Sequence, residues 1–252
     1  MRVMTYNIKG GINKARRASE GWTYQDNING IVKVIAAQNP DVVVLQEVDK
    51  GRLRSEAMDQ ISWLSEKLGY HGVFGRSFFD PQADGSVGEY GNGLLSRYHI
   101  SAWRVEPLWH RDYNLPGEPK WVIEPRSCLV AEILAPEPII IMGLHLSTTA
   151  DQRQEQLRQV SELVRMEKDK PLVLMGDFNA QLPELRASAV AGELTSLLSE
   201  VHGFTFPNGK EAASTIDHIW VSSHWRVDSV WVVSEQQGIS DHNPVVADLT
   251  LI

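Results

Sequence analysis

Six short stretches of this 252-residue chain end or turn on side chains that can hold a metal ion or move a proton. The plainest is Leu172-Val173-Leu174-Met175-Gly176-Asp177-Phe178-Asn179. Its apolar run, entered through Pro171, reads as a strand buried on both faces. Side chains alternate along a strand, so Val173, Met175, Asp177 and Asn179 share one face, and Leu174, Gly176 and Phe178 the other. Burying the carboxamide without partners would cost roughly 2–7 kcal/mol, and the carboxylate more. Taken alone, Gly176 to Asn179 suits a turn equally well, because Asp and Asn are common turn formers.

Repetition tips the reading toward chemistry. Val3, Thr5 and Asn7 share a face of a first strand that also ends on a polar group. Val43, Leu45 and Glu47 do so in a second strand, and Ile139, Ile141, Gly143 and His145 in another. Asp217 lies between Thr215 and Ile219 on one face of a further strand. Asp241-His242 follows a Gly238-Ile239-Ser240 turn, just before the apolar segment Pro244 to Ala247. One polar strand end merely reaches water; this many, all Asn, Asp, Glu or His, read as ends converging on one site. Glu47 is the best metal ligand among them, a hard oxygen donor of the kind Mg²⁺ takes while keeping waters and phosphate in its other positions. Its place after Val43 and Leu45 argues against an ordinary surface glutamate.

The motifs TYN (Thr5 to Asn7), LQEV (Leu45 to Val48), LH (Leu144-His145), GDFN (Gly176 to Asn179), IDHIW (Ile216 to Trp220) and SDHNPV (Ser240 to Val245), in this order, resemble the endonuclease/exonuclease/phosphatase superfamily with its deoxyribonuclease I-like fold. The resemblance runs from Tyr6 to Val246. GDFN and SDHNPV are its most specific pieces, and the ordered set is far stronger than either. It implies an α+β fold: a four-layer αββα sandwich, two mainly antiparallel sheets packed face to face with helices outside. It also implies metal-assisted hydrolysis of a phosphodiester or phosphomonoester, with Mg²⁺ as the cofactor and Mn²⁺ as its alternative. By that resemblance Glu47, Asn7 and Asp241 form the metal set, Asn7 also ordering Glu47 or touching phosphate. Asp177 activates or orients the water, and Asn179 holds the phosphate or the transition state. Asp217 fixes the tautomer of His242 and stabilises its protonated form, while His145 and Arg126 contact phosphate. His218, on the opposite strand face from Asp217, is expected to pack.

Two departures weaken a DNA-repair reading. Where AP endonucleases and tyrosyl-DNA phosphodiesterases carry an Asp two residues after the Asn, this chain has Lys9, a cation that repels a second metal and favours substrate phosphate. No Trp precedes Ser240-Asp241-His242; Gly238-Ile239 stands there. The charge balance agrees: 24 basic against 32 acidic residues give −8, whereas nucleic-acid binders usually show a basic face. A metal-dependent phosphoesterase is therefore the leading expectation. The alternatives are a nuclease acting on DNA or RNA, a lipid phosphodiesterase of the neutral sphingomyelinase type, and a non-catalytic binding member. The last is disfavoured because every expected polar position holds a competent residue.

The elements that must position these groups are legible in outline. Ile28, Ile31, Val32 and Ile35 recur at helical spacing from about Tyr24 until Asn39-Pro40 stops the helix. Ala57 to Leu68 reads as a second helix stopped by Gly69, and Asp151 to Lys168 as a third. Strands are expected at Tyr70 to Gly75, from Gly91, at Ile100 to Trp109, Arg126 to Leu134, and in the segment from Ser214. Ser77 to Glu89 reads as a long Gly/Asp loop and His110 to Pro125 as an irregular span, of a length often functional or mobile. Within that span and beside it, Trp109, Tyr113 and Trp121 are expected to pack the loop down more often than to stack on substrate. Lys14, Arg16 and Arg17 sit in a basic loop. With motifs spread end to end and 42% hydrophobic residues, a single domain over 1–252 is expected. The lone Cys128 permits no internal disulfide. Neither a charged leader with a long apolar stretch nor a membrane span is visible, which reads as a cytoplasmic protein with a phosphoester substrate, small molecule or nucleic acid, and no obligatory protein partner.

Overall fold

The computed structural model describes residues 1–12, 21–111, 124–197, 203–207, 214–234 and 238–252. Among the described residues twelve strands form two six-stranded sheets. They are β1 (Arg2–Asn7), β2 (Val42–Lys50), β3 (His71–Pro81), β4 (Val87–Ser96), β5 (His99–Pro107) and β6 (Ser127–Leu134), then β7 (Pro138–His145), β8 (Leu172–Asp177), β9 (Thr195–Ser196), β10 (Asp217–Val221), β11 (Trp225–Val232) and β12 (Val245–Leu251). The helices are α1 (Tyr24–Gln38), α2 (Gln60–Leu68), α3 (Ala150–Met166) and the short α4 (Leu182–Arg186). Among the described residues no helix is long and apolar enough to cross a membrane.

The sheet orders are β11-β12-β1-β2-β4-β3 and β5-β6-β7-β8-β10-β9. Each is antiparallel except at its centre, where β1 runs parallel to β2 and β7 parallel to β8. A parallel pair needs a long crossover, supplied by α1 in one sheet and α3 in the other. The two sheets are therefore wired alike, each a hairpin, a strand–helix–strand crossover and a second hairpin. That repeat is too divergent to show in the sequence.

Alternation along the strands builds the layers. Val3, Val42 and Val44 of one sheet meet Ile139, Ile141, Val173, Met175, Ile219 and Val221 of the other in a core between the sheets. Opposite side chains face outward under helices: Met4, Tyr6, Val43 and Leu45 beneath α1 and α2, and Leu172, Leu174 and Trp220 beneath α3. This is the expected sandwich. Buried Gly143 lets the sheets come close below the polar end, since a Cβ there would lie 2.6 Å from Val44 Cγ1.

Three expected boundaries move. Helix α2 begins at Gln60 rather than Ala57, because Glu56 and Ala57 adopt left-handed backbone after a 3₁₀ turn, and the Asp59 side chain caps the first turn, accepting from Ser62 N at 3.1 Å. The span Ser77 to Glu89 is mostly strand: β3 and β4 stay paired out to Pro81 and Val87, joined by a turn in which Gln82 N donates to Ser86 O at 2.9 Å. Glycines and aspartates mark only the tip of that hairpin, so composition overstated the loop. Strand β10 starts at Asp217. Trp109 is 41% exposed, while Tyr113, Trp121, Lys14, Arg16 and Arg17 lie outside the described residues.

Candidate active site

The parallel-paired strands β1, β7 and β8 deliver their carboxyl ends to one place. Asn7 closes β1, His145 closes β7 and Asp177 closes β8. Asp217 opens the antiparallel β10 directly opposite Asp177, and His145 is likewise paired with Asp177. The loop before β12 adds Asp241 and His242. Gly176 makes this convergence tight: a Cβ there would stand 2.0 Å from Leu144 O on β7, so only glycine lets the strands pair up to their last residue.

Glu47 arrives by a different route from the one its sequence position suggests. Val43 and Leu45 point to the helix layer, so regular alternation would send Glu47 away from the site. A bulge in β2, between Leu45 and Val48, gives Glu47 a left-handed backbone with φ 56°. Its side chain thereby meets Asn7, whose Nδ2 donates to Glu47 Oε1 at 3.0 Å and to Asp177 Oδ2 at 3.0 Å. Bulges re-aim side chains in this way next to functional sites. Gln46, on the inter-sheet side, is buried and bonded to Thr5.

Asp177 is the hub. Its Oδ1 accepts from Asn179 N at 2.9 Å, and its Oδ2 faces His145 Nε2 at 3.5 Å and His242 Nε2 at 3.7 Å besides Asn7. Burial and the neighbouring Asp217 push its carboxyl up to about 7, against the pull of His242. Behind it, His242 Nδ1 lies 2.9 Å from Asp217 Oδ2. Burial by itself would depress the His242 imidazole, but Asp217 and Asp177 outweigh it and raise it to about 10. His242 therefore stands protonated at neutral pH between two carboxylates. The Phe206 ring packs 4.7 Å from it, centroid to centroid.

His145 is the opposite case. Arg126 Nη1 sits 2.9 Å from His145 Nδ1. A guanidinium only donates, so Nδ1 accepts and the ring proton resides on Nε2, facing Asp177. Burial, Arg126 and His242 all hold this imidazole well below its ordinary range, hence neutral. Arg126 was expected to contact phosphate. Here it is 5% exposed and committed to His145 and, through Nη2 at 3.0 Å, to Glu124. In this position it aims the histidine.

Three further expected residues already have partners within the protein. Asn7, expected in the metal set, accepts from Lys9 N at 3.0 Å through Oδ1, and its Nδ2 faces the acids and orients Glu47 and Asp177. Asp241 was placed there too, and its Oδ2 is ion-paired to Lys9 Nζ. Asn179 was aligned with Asp177 on one strand face, but it lies beyond β8 in a left-handed turn with φ 50°, its Nδ2 donating to Leu146 O at 2.9 Å. His218 lies away from the site, its Nε2 2.8 Å from Ala180 O and its ring edge-on to Phe178. Burial lowers it to about 4, so it is neutral packing.

Several supports carried no signal strong enough to single them out. Ser240 Oγ donates to Asn7 O at 2.7 Å and accepts from His242 N at 3.2 Å, tying the last loop to the first strand. Thr205 Oγ1 accepts from Ile216 N and Asp217 N at 3.0 and 3.2 Å, setting the start of β10. Asn92 Nδ2 donates to Ser127 O at 3.0 Å, joining the sheets beside Arg126. Ser240 lies inside the motif Ser240 to Val245. Thr205 and Phe206 sit in the short segment Gly203 to Pro207, which has no strand or helix periodicity to mark them.

Asp177, Asp217 and His242 also place ligand atoms within 4.8 Å of one another, so this buried group could hold a metal ion. The family described as Endonuclease/Exonuclease/phosphatase family matches residues 4–242. Among solved structures, an endonuclease/exonuclease/phosphatase from Beutenbergia cavernae superposes with a TM-score of 0.79 at 29% identity, covering 100% of this chain and 71% of that one. The Bacteroides thetaiotaomicron mannosyl-6-phosphatase Bt3783 gives 0.75 at 21% identity, with 100% of both chains covered. The human Nocturnin catalytic domain with bound sulfate gives 0.72 at 20% identity, with 100% and 94% covered. No curated protein sequence matches the chain.

Proposed function

The chain belongs to the endonuclease/exonuclease/phosphatase family, and from that premise we propose that it is a divalent-metal-dependent hydrolase of phosphoester bonds. The observation that carries the reading is the line Asp217–His242–Asp177–Asn7–Glu47, linked at 2.9, 3.7, 3.0 and 3.0 Å. It sets a buried proton-handling group beside a partly exposed carboxylate.

The residues present fit the metal that the family uses. Glu47 is a hard oxygen donor, only partly buried and oriented by Asn7, which suits a cation that retains several waters. The Asp177/Asp217/His242 group fits less well, because His242 is held protonated and a protonated imidazole is no ligand. Glu47 would therefore hold the ion, Mg²⁺ or Mn²⁺. A bound ion supplies Lewis-acid stabilisation of charge on the phosphoryl oxygens.

The protein's own groups divide the remaining work. Asp177, titrating near neutrality, accepts the proton of the attacking water at Oδ2 or orients it. His242 Nε2–H and His145 Nε2–H, both aimed at this spot, donate to phosphoryl oxygens. One is cationic and one neutral, and the neutral one is fixed in its tautomer by Arg126. Asp217 holds His242 charged and in register. The arrangement supplies donors preorganised for charge that develops in the transition state.

A small or flexible phosphoester suits the site better than duplex DNA. The chain carries −8 overall, and Arg126 near the centre is spent on Glu124 and His145. A duplex-binding groove would lose affinity steeply with salt, with a log–log slope of about −0.9 per phosphate contacted. The test is hydrolysis of bis-p-nitrophenyl phosphate, p-nitrophenyl phosphate and plasmid DNA, with Mg²⁺, with Mn²⁺ and with chelator, across a range of salt. Metal-dependent turnover of an aryl phosphate with a shallow salt slope is expected. Turnover undiminished by chelator would end the metal-dependent reading, and fast, strongly salt-sensitive nicking of plasmid would make the protein a nuclease.

A further inference from the structure

A second polar cluster stands beside the site, on the wall built by the end of β2, the start of β4 and the 3₁₀ turn Leu53–Ser55. Asp49, two residues beyond Glu47, is fully buried. Arg54 grips it side-on, Nε to Oδ2 at 2.8 Å and Nη2 to Oδ1 at 2.8 Å. Arg52 Nη1 reaches the same carboxylate at 3.0 Å, and its Nη2 pairs with Asp80 at 2.5 Å. The clamp is braced from behind: Gln60 accepts from Asp49 N and donates to Gly10 O, both at 2.7 Å. Gly10 leaves room for it, since a Cβ there would stand 2.9 Å from Asp49 Oδ2 and 3.1 Å from Arg54 Nη2. The Arg54 guanidinium thus lies against the turn that leads out of Asn7.

Holding a carboxylate side-on uses one edge of a guanidinium. The other edge, Nη1 with Nη2, remains for a second anion. Among the described residues Arg54 Nη1 has no hydrogen-bond or ion-pair partner, and the side chain is 40% exposed. Burial works against its charge, but Asp49, Tyr90 and Glu47 hold it cationic. Beneath the guanidinium lies the Tyr90 ring, its centroid 5.6 Å from Cζ. Tyr90 shares a strand face with Asn92, whose Nδ2 reaches Ser127 O of the other sheet, so it too faces the cleft between the sheets. Tyr90 is 4% exposed, and among the described residues its hydroxyl has no hydrogen-bond partner. Burial, then Glu47 and Glu124, keep that hydroxyl protonated, a buried donor without an acceptor. Glu124 does not supply one, being tied to Arg126 Nη2 at 3.0 Å.

A clamp that only fastened the turn would need neither an outward guanidinium edge nor an unpaired phenol beside it. Resting on the hydrolase reading above, we propose that Arg54 and Tyr90 form a subsite for a second phosphate of the substrate, next to the scissile one, so that the protein prefers phosphoesters carrying two phosphates. Arg54 meets that group end-on through Nη1 and Nη2, and the Tyr90 hydroxyl donates to another of its oxygens. Phosphate fits better than carboxylate because its three free oxygens accept from the fork and the phenol together.

The experiment reads binding rather than turnover. Alkane bisphosphonates with two to six carbons between the phosphorus atoms, and the matching alkylphosphonates, resist hydrolysis and are titrated by calorimetry in the presence of Mg²⁺. The readout is the ratio of the two affinities, because a general loosening of the site lowers both alike. At the best chain length the wild type should favour the bisphosphonate by about tenfold or more. Arg54→Gln should bring the ratio down to about the twofold that two equivalent ends give by statistics. Tyr90→Phe, which keeps the ring beneath the guanidinium, should lower it by roughly threefold or more. Thermal melts confirm folding. Should Arg54→Gln leave Asp49 buried and under-paired and fail to fold, Asp49→Asn/Arg54→Gln removes the pair together. A wild-type ratio near the statistical value at every length, or an undiminished ratio in a folded variant, overturns the inference and leaves the hydrolase reading standing. A wild type that binds none of these ligands overturns it too, while turnover of the aryl phosphates decides the hydrolase reading separately.

Discussion

Glu47 and Asp177 occupy equivalent places in the two sheets, each near the end of the second strand of a strand–helix–strand crossover. Both reach the site, both accept from Asn7 Nδ2 at 3.0 Å, and they differ in how they get there. Asp177 ends a regular strand, is 1% exposed and is raised to about 7. Glu47 sits on a bulge with left-handed backbone and stays partly open to solvent. Matched wiring thus yields two unlike carboxylates. The buried one is tuned to exchange a proton, and the open one is free to meet a hydrated cation. The decisive variable is one extra residue in β2, which changes the exposure of a side chain without changing its chemistry.

Substitutions at the two positions should separate along that line. Asp177→Asn should lower turnover by a factor on the order of 10²–10⁴ while leaving Mn²⁺ affinity near the wild-type value. Steady-state rates and a Mn²⁺ titration measure the two quantities, and a loss confined to metal affinity would erase the contrast. The pH profile sharpens it. The base form of Asp177 grows as pH rises through about 7 and the protonated His242 is lost through about 10. The log of kcat/KM should therefore climb near 7 and fall near 10, values belonging to the coupled cluster rather than to single residues. The lower limb should vanish in Asp177→Asn.

His242→Ala should cost a similar factor, and Asp217→Asn should act through it, so the double variant should be little worse than His242→Ala alone. Additive losses in a double-mutant cycle would break the pairing. Glu47→Gln should weaken metal binding by more than the roughly 10–100-fold typical of a lost outer partner, with a melting temperature close to wild type. An unchanged Mg²⁺ requirement would remove Glu47 from the metal.

The smallest effect on catalysis is expected across the sheet from Asp217. His218 is buried neutral, and its folded value near 4 lies below the ordinary 6.5. Its contribution is fully present above 6.5 and is lost as pH falls through 4, up to about 3 kcal/mol in all. His218→Gln should keep kcat within a few-fold and flatten the loss of stability in that acid window, measured by denaturant melts at stepped pH.

Much of this site is legible in one dimension because strands have a period of two. Ile139, Ile141, Gly143 and His145 lie on the inter-sheet face, as do Val173, Met175 and Asp177, so alternation alone leads from core to site. The same rule misleads at Glu47. Alternation puts its side chain on the helix-layer face, and no local signal in Leu45-Gln46-Glu47-Val48 announces the bulge that turns it to the site. Asn179 fails likewise, because the strand stops two residues short of it. Arg126, Asn7 and Asp241 show another limit. Their chemistry fits a phosphate or metal contact, and only the positions of Glu124, His145 and Lys9 show which of their atoms already have partners within the protein. Pairings across long separations, such as Thr205 with Asp217 or Ser240 with Asn7, leave no periodic trace.

The buried bond between His242 and Asp217 gives the protein its own spectroscopic probe. A proton on Nδ1, 2.9 Å from a carboxylate oxygen and walled off by the Phe206 ring, is strongly deshielded and slow to exchange with bulk water. It should appear as an isolated, far-downfield line in a one-dimensional proton spectrum, clear of the amide envelope. Because it responds to charge on both neighbouring carboxylates, its position would follow the ionisation of Asp177 across the cleft, and the arrival of a phosphoryl group at Nε2, in the intact molecule and without a label.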